Sequence, residues 1–224
     1  MEIALGILGG GLITILTAVL IEYARMPKLH LSIEGKPCDI TYEPGKSPAK
    51  DARYLRLVLR NAPLPRMLRW LQRSAALQCH GKITFHHLDG QRVFDREMTV
   101  RWASCPEPLW SQIQDSSGKT HFVIVDFVRA AMEPRVDVYP GEEKILDVVV
   151  RFDDDEDCYG WNDEAYRHAW RNPDWKLKPG RYLAKAIVTS AGQRCAGIVR
   201  IVNDVARSDF RLEPPFPEDY PKLR

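Results

Sequence analysis

A chain of 224 residues with 28% charged side chains and a net charge of +2 is long enough for one ordinary domain with a sizeable core. The balanced charge excludes the basic footprint of a nucleic-acid binder, whose domain pI usually exceeds ~9, so no nucleic-acid partner is expected. Five widely spaced cysteines (Cys38, Cys79, Cys105, Cys158, Cys195) without a CxxC exclude a disulfide scaffold and fit reduced thiols in a reducing compartment.

Ile3 to Ile21 (IALGILGGGLITILTAVLI) carries no charge. At ~1.5 Å per residue, a helix of this length covers ~28 Å, close to the ~30 Å hydrocarbon core of a bilayer. Glu22, Tyr23, Arg25 and Lys28 mark an interface, and Pro27 ends the helix. A secretory signal fits poorly, because only Glu2 precedes the run and no small-residue cleavage site follows it. Residues 1–26 are therefore expected to be one transmembrane helix with its juxtamembrane segment, and membrane lipid to be a partner. Arg25, Lys28 and Lys36 follow the run and no basic residue precedes it. The positive-inside rule then places the N-terminus outside and the C-terminal domain in the cytoplasm. Gly6 and Gly10 form a GxxxG spacing that lets two helices pair, which makes a homo-oligomer one expectation. The frequency of glycine in membrane helices generally is the plainer explanation.

Residues 27–206 read as strands and turns. Leu29, Leu31 and Ile33 alternate with polar residues, and residues 35–51 form a Pro- and Gly-rich loop. RYLRLVLRN (53–61) is a strand stopped by Pro63 and Pro65. RMLRWLQRSAA (66–76) predicts a short amphipathic helix, with Met67, Leu68 and Leu71 on one side and Arg66, Arg69 and Arg73 on another. KITFHHL (82–88) is a strand, Asp89-Gly90 a hairpin turn, and 92–102 holds the partner strand. Further strands are predicted over 122–128, 135–139, 144–152, 181–190 and 195–204. An acidic, aromatic loop occupies 153–178, and the Pro-rich tail 207–224 is expected to be extended or disordered. About seven short strands between turns predict an immunoglobulin-like β-sandwich, with a small barrel as the rival. The fold class is thus mainly β, preceded by one N-terminal transmembrane helix.

RYLRLVLRN (53–61), AALQC (75–79), VYPGEEKILDV (138–148) and LKPGRYLAKAIV (177–188) together give a pattern across most of residues 50–205. This pattern resembles a loosely defined group of uncharacterised prokaryotic single-pass membrane proteins with an immunoglobulin-like β domain. The shared motifs are structural, so the resemblance implies a fold and an anchor and carries over no activity. The aromatic loop and the basic segment 66–76 depart from the group's pattern.

Four places hold candidate chemistry. Tyr159, Trp161, Tyr166, Trp170 and Trp175 concentrate in the loop 153–178. Exposed, such a cluster is an interaction surface, but packing against the sandwich is the favoured expectation. Asp153 to Asp157 is a carboxylate run whose spacing does not match a calcium loop, and a solvated acidic turn is favoured. His80, His86 and His87 lie near Cys79, but adjacent strand positions face opposite ways, so no metal site and no cofactor are expected. Arg66, Arg69, Trp70 and Arg73 join basic and aromatic groups that suit either a membrane interface or a protein surface. There is no P-loop, GxGxxG or GxSxG, hence no catalytic motif. The expected function is a membrane-anchored binding or adaptor domain with an unidentified protein partner. The rivals are a self-associating membrane effector or sensor, for example in stress or phage defence, and, last, an enzyme with an unrecognised site.

Overall fold

A computed structural model describes residues 2–42, 51–68, 70–107, 110–118, 120–124, 134–191 and 193–223, with the side chains of residues 2–10 and of several positions in 110–124 outside that description. Arg69, one of the candidate surface residues, lies outside the described residues. The chain begins with α1 (Glu2–Arg25), followed by β1 (Leu29–Ile33), β2 (Cys38–Thr41), β3 (Asp51–Asn61), β4 (Ala76–His86), β5 (Met98–Thr99) and β6 (Arg101–Trp102). Then come β7 (Trp110–Gln114), β8 (Thr120–Ile124), β9 (Val136–Val138), β10 (Glu143–Phe152), β11 (Cys158–Gly160) and β12 (Lys176–Leu177). β13 (Arg181–Ser190), β14 (Gln193–Val202) and β15 (Arg211–Glu213) complete the order.

The molecule is mainly β and consistent with a β-sandwich. One antiparallel sheet runs β1-β3-β10-β11-β12, with β2 also on β3 and β6 on β10. The other runs β15-β14-β13-β4-β5, with β9 on β4, and β7–β8 form a separate hairpin. The expected strands at 29–33, 53–61, 135–139, 144–152, 181–190 and 195–204 are found within a few residues of their predicted bounds. The partner expected after Asp89-Gly90 is broken into the two short strands β5 and β6 and a single bridge between His86 and Arg92.

Period-two alternation decides what each sheet face covers. Leu55, Leu57 and Leu59 of β3 point into the space between the sheets, against Ile83, Phe85, Ala184, Ala186 and Ile201. Tyr54, on the opposite face, joins a second cluster with Ala52, Val150, Phe152, Trp161 and Trp170. β10 serves both. Its pairing with β3 slips between Asp147↔Arg56 and Val149↔Leu55, a β-bulge at Val148. A one-residue shift moves every later side chain to the other face. Leu146 therefore faces the main core, while Val150 and Phe152, an even step further along, face the second one.

The C-terminal tail corrects its expectation. Residues 207–223 are packed: β15 pairs with β14, and Phe210, Leu212, Asp219 and Leu223 are buried. Pro214 and Pro215 stop β15, since proline donates no amide to a ladder. Beyond them, Arg200 donates to Asp219 at 2.6 and 2.8 Å, and Lys222 donates to the Leu88 carbonyl at 2.8 Å. Proline-rich composition suggested disorder, but one buried ion pair and three apolar anchors hold the tail.

The helix expected over 66–76 is also corrected. Only one 3-10 turn forms, at Arg66–Leu68, and it buries none of its side chains. Short helices depend on packing one face, and Met67, on the predicted apolar face, has nothing to pack against.

Asn61 closes the end of the molecule where α1 leaves. It is fully buried. Its side-chain amide donates to the carbonyls of Ser74 and Val138 at 3.1 Å each, and its carbonyl oxygen accepts from the Lys28 amide at 3.1 Å. One side chain thus joins the α1 exit, β3, the 62–75 connection and β9. Met26 to Lys28 are the only residues between α1 and β1.

Two outcomes follow. Asn61→Ala orphans buried groups on three segments and should cost ~2–4 kcal/mol in urea unfolding; a loss below ~0.5 kcal/mol would show that the clasp is dispensable. The Arg200 guanidinium holds the Asp219 carboxyl below its ordinary value, against the opposing effect of burial. This contribution to stability is complete above pH ~4 and is lost as pH falls through the lowered value. Amide-exchange protection over 210–223, corrected for the intrinsic pH dependence of exchange, should therefore fall on acidification. In Asp219→Asn it should already be low at neutral pH, with the acid dependence flattened.

Candidate interaction surfaces

The aromatic loop 153–178 is a packing element, so its aromatics do not form an exposed surface. Tyr159, Trp161, Tyr166, Trp170 and Trp175 are each exposed by no more than 4%. Trp161 meets Tyr54, Tyr166 and Trp170 edge-on with centroids 5.3, 5.4 and 6.0 Å apart. Trp175 sits in the main core, donates to Glu164 at 2.8 Å and carries Arg96 on its ring at 4.6 Å. The left-handed backbone at Ala169 and Trp170 lets the chain turn back so that the Trp170 ring enters the cluster. The outer face of the β3–β10 sheet is apolar after the bulge, and this loop covers it.

Beside the aromatics lies a buried charged group. Asp147 is 1% exposed, accepts from Arg56 at 2.7 Å and lies 3.8 Å from Arg101. Arg101 reaches Asp163 at 3.0 Å. Burial outweighs both arginines and pushes the Asp147 carboxyl up. Tyr42 shares a 2.8 Å hydrogen bond with Tyr54, and burial pushes its hydroxyl up to about 12. These groups neutralise one another.

The acidic run is held the same way. Asp154 and Asp155 pair with Arg171, Asp157 pairs with Lys176, and Asp155 accepts from the Tyr159 hydroxyl at 2.7 Å. His86 is bonded through both ring nitrogens, to Thr84 Oγ1 at 2.9 Å and the Gly90 carbonyl at 3.0 Å. Among the described residues, no group of three or more His, Cys, Asp or Glu is placed to hold a metal ion. Cys79 and Cys158 are buried, and burial raises both thiols, which makes them poor nucleophiles.

Two surfaces remain open. The first is the end of the sandwich at which α1 leaves. The Ser74 amide donates to the Arg25 carbonyl at 2.7 Å, and Arg73 donates to the Met26 carbonyl at 2.7 Å. The β13–β14 hairpin reaches the same point through Gln193 and the Met26 sulfur, 3.6 Å apart. Around this junction Met67 is 91% exposed, Trp70 74%, Tyr139 56% and Met26 46%. Exposed Arg25, Lys28, Arg66 and Arg194 belong to the same segments. Pro63, Leu64, Leu71, Arg73, Tyr139 and Pro140 line a hollow of about 500 Å³ there. Lys36, counted with the basic flank in the sequence, stands in the turn after β1, a strand's length from the junction.

The second surface is a lateral groove of about 770 Å³, which the sequence did not reveal. Leu31, Ser32 and Ile33 of β1 form one wall, Ala196 to Val199 of β14 the other, and Pro214, Pro215 and Tyr220 the rim. The Glu34 amide and the Lys28 carbonyl bond toward β3, so the amides of Leu29, Leu31 and Ile33 point away from it. The Leu31 backbone meets the Cys195 sulfur. Among the described residues, β14 pairs with β15 only over Arg200–Val202, which leaves the edge from Arg194 to Val199 facing the groove. The only sequence signal was Pro214-Pro215, which ends β15 before it fills the gap.

No family model, curated protein or solved structure matches the chain. Its functional reading therefore rests on these surfaces.

Trp161 separates packing from binding. Trp161→Ala should lower stability by ~3–5 kcal/mol in denaturant unfolding, as for a large buried aromatic. An unchanged midpoint would return the loop to the list of exposed surfaces.

Proposed function

We infer that the protein is a single-pass membrane-anchored binding or adaptor domain of immunoglobulin-like type. The observation that carries this is the state of α1. Leu12, Ile13, Ile15, Leu16, Val19 and Leu20 form one broad face and are each exposed by more than half, residues 11–20 are exposed all round, and no surface among the described residues covers them. Apolar surface on that scale needs a covering medium. The uncharged run from Ile3 to Ile21 has the length that a bilayer core requires. Among the described residues, no helix is long and apolar enough to cross a membrane; the described side chains of α1 begin at Gly11. The span is inferred from the sequence run together with these exposed side chains.

The structural motifs shared with single-pass membrane proteins carrying an immunoglobulin-like domain support the same reading. The basic groups Arg25, Lys28, Arg66, Arg73 and Arg194 lie on one side of the anchor and favour a cytoplasmic domain, with the N-terminus outside. The binding face is the lateral groove, and its ligand class is an extended peptide segment. Two strand edges with outward-pointing backbone groups match an added strand, and the apolar walls match its side chains.

Two experiments test this. The full chain should stay with the membrane pellet in alkaline carbonate, and a reporter fused after Arg224 should be active only on the cytoplasmic side. Release into the supernatant would remove the anchor, and activity outside would reverse the topology. A photo-crosslinking side chain at Ser32, on the groove wall, should give one discrete adduct in cells that Ala196→Trp abolishes. Equal adducts from the same side chain at exposed Asp89, or none at Ser32, would overturn the groove as the binding face.

A further inference from the structure

We propose that the 63–73 connection is a second membrane contact, which inserts Met67 and Trp70 into the interfacial layer of an anionic bilayer and fixes the sandwich end-on against it. This rests on the anchored reading above and adds a docked orientation that the anchor alone does not require.

Three observations meet at this end of the molecule. First, the connection is placed beside the anchor by covalent and hydrogen-bond geometry. Ser74 and Arg73 donate to the carbonyls of Arg25 and Met26, the last residues of α1 and the first beyond it. Whatever medium surrounds the end of α1 therefore meets the connection where it ends, at Arg73 and Ser74. Second, the side chains there are unsuited to water. Among the described residues of the β domain, Met67 and Trp70 are the most exposed large apolar ones, at 91% and 74%. Tyr139 joins them from the far wall of the hollow beneath, and Tyr23 adds a further aromatic on the last turns of α1. Trp and Tyr favour the headgroup layer, where the ring is apolar and the N–H or O–H stays wet. Third, the balance of charge is basic. Lys28, Arg66 and Arg194 are exposed on these segments, while Glu22 is paired with Arg25 at 3.4 Å, Glu142 with Lys144 at 3.5 Å and Glu143 with Arg60 at 3.7 Å. Basic groups beside an inserted aromatic match anionic headgroups.

The failed helix of this segment becomes intelligible in these terms. Residues 66–68 make a single turn that buries nothing within the protein. Interfacial segments place their apolar face in lipid instead. Pro63 and Pro65 hold the connection extended up to that turn and keep the tip away from the sandwich.

The full chain is reconstituted into vesicles of phosphatidylcholine and phosphatidylglycerol whose acyl chains carry bromine, which quenches tryptophan on contact. Wild type should be quenched more than Trp70→Phe, because Trp102, Trp161, Trp170 and Trp175 are buried in the domain and Trp110, whose side chain lies outside the described residues, is common to both proteins. Arg66→Glu should reduce the Trp70-dependent quenching, with the docked-to-undocked ratio falling ~fivefold or more per charge removed. Vesicles of phosphatidylcholine alone should act in the same direction. Met67, Trp70 and Arg66 are exposed, so unchanged melting of the variants confirms that the fold is intact. Equal quenching of wild type and Trp70→Phe in protein that resists alkaline carbonate would overturn the docking while the anchor stands. Loss of the protein from the vesicles in carbonate would instead overturn the anchored reading on which the docking rests.

Discussion

The structure turns on one buried amide. Asn61 ends β3, and its side chain bonds the backbone of three segments that converge there. A buried amide commands two donors and an acceptor, and here three of its bonds are made within the protein. An apolar residue of the same size would leave two carbonyls and one amide without partners, each at the cost of desolvation. The arrangement sets the direction in which α1 departs, because Lys28 is fixed one residue after Pro27 and three after Arg25. The position of the 62–75 connection follows from the same bonds, and so does the cluster of exposed apolar and basic side chains at that end.

At the other functional extreme stands the bulge in β10. A sheet with one apolar face would have left the aromatic loop nothing to cover. The slip at Val148 gives the sheet two apolar faces along one strand: inward before it, outward after it. Asp147 sits at the switch and needs Arg56 and Arg101 to be tolerable in that position. The loop's tryptophans are therefore the lid of a second core. The parts that neither core uses are the α1 end and the lateral edge, the two surfaces on which the proposed function rests.

Strands with strong alternation were legible in the sequence, because Leu55, Leu57 and Leu59 or Ala184, Ala186 and Val188 state their facing by period alone. The uncharged N-terminal run was equally plain. Two features were misread because local composition was overruled by distant partners. Pro214, Pro215 and Pro217 look like a disordered tail until Asp219 meets Arg200, 19 residues earlier in the chain. The helical pattern at 66–76 was real as a pattern, but no surface came to meet its apolar side. The packing of the aromatic loop was weighed correctly against exposure, though the bulge that makes room for it has no sequence signature in KILDVVVRF. The groove was nearly invisible, since it is made by where two edges stop, and Pro214-Pro215 marks only the end of one of them.

A junction of only Met26, Pro27 and Lys28, pinned on both sides, makes the connection between helix and domain a stalk and not a string. A flexible linker would let the domain sweep a hemisphere and search for ligands in depth. A compact domain of this size has a radius of gyration of only ~16 Å, and under the proposed anchoring the stalk keeps its centre at a nearly constant height. The groove's outlook is thereby set by the helix, and any turn or tilt of α1 re-aims it as a crank re-aims its arm. Under the anchoring proposed above, partners must come to the layer the domain occupies, and encounter becomes a problem of lateral diffusion in two dimensions.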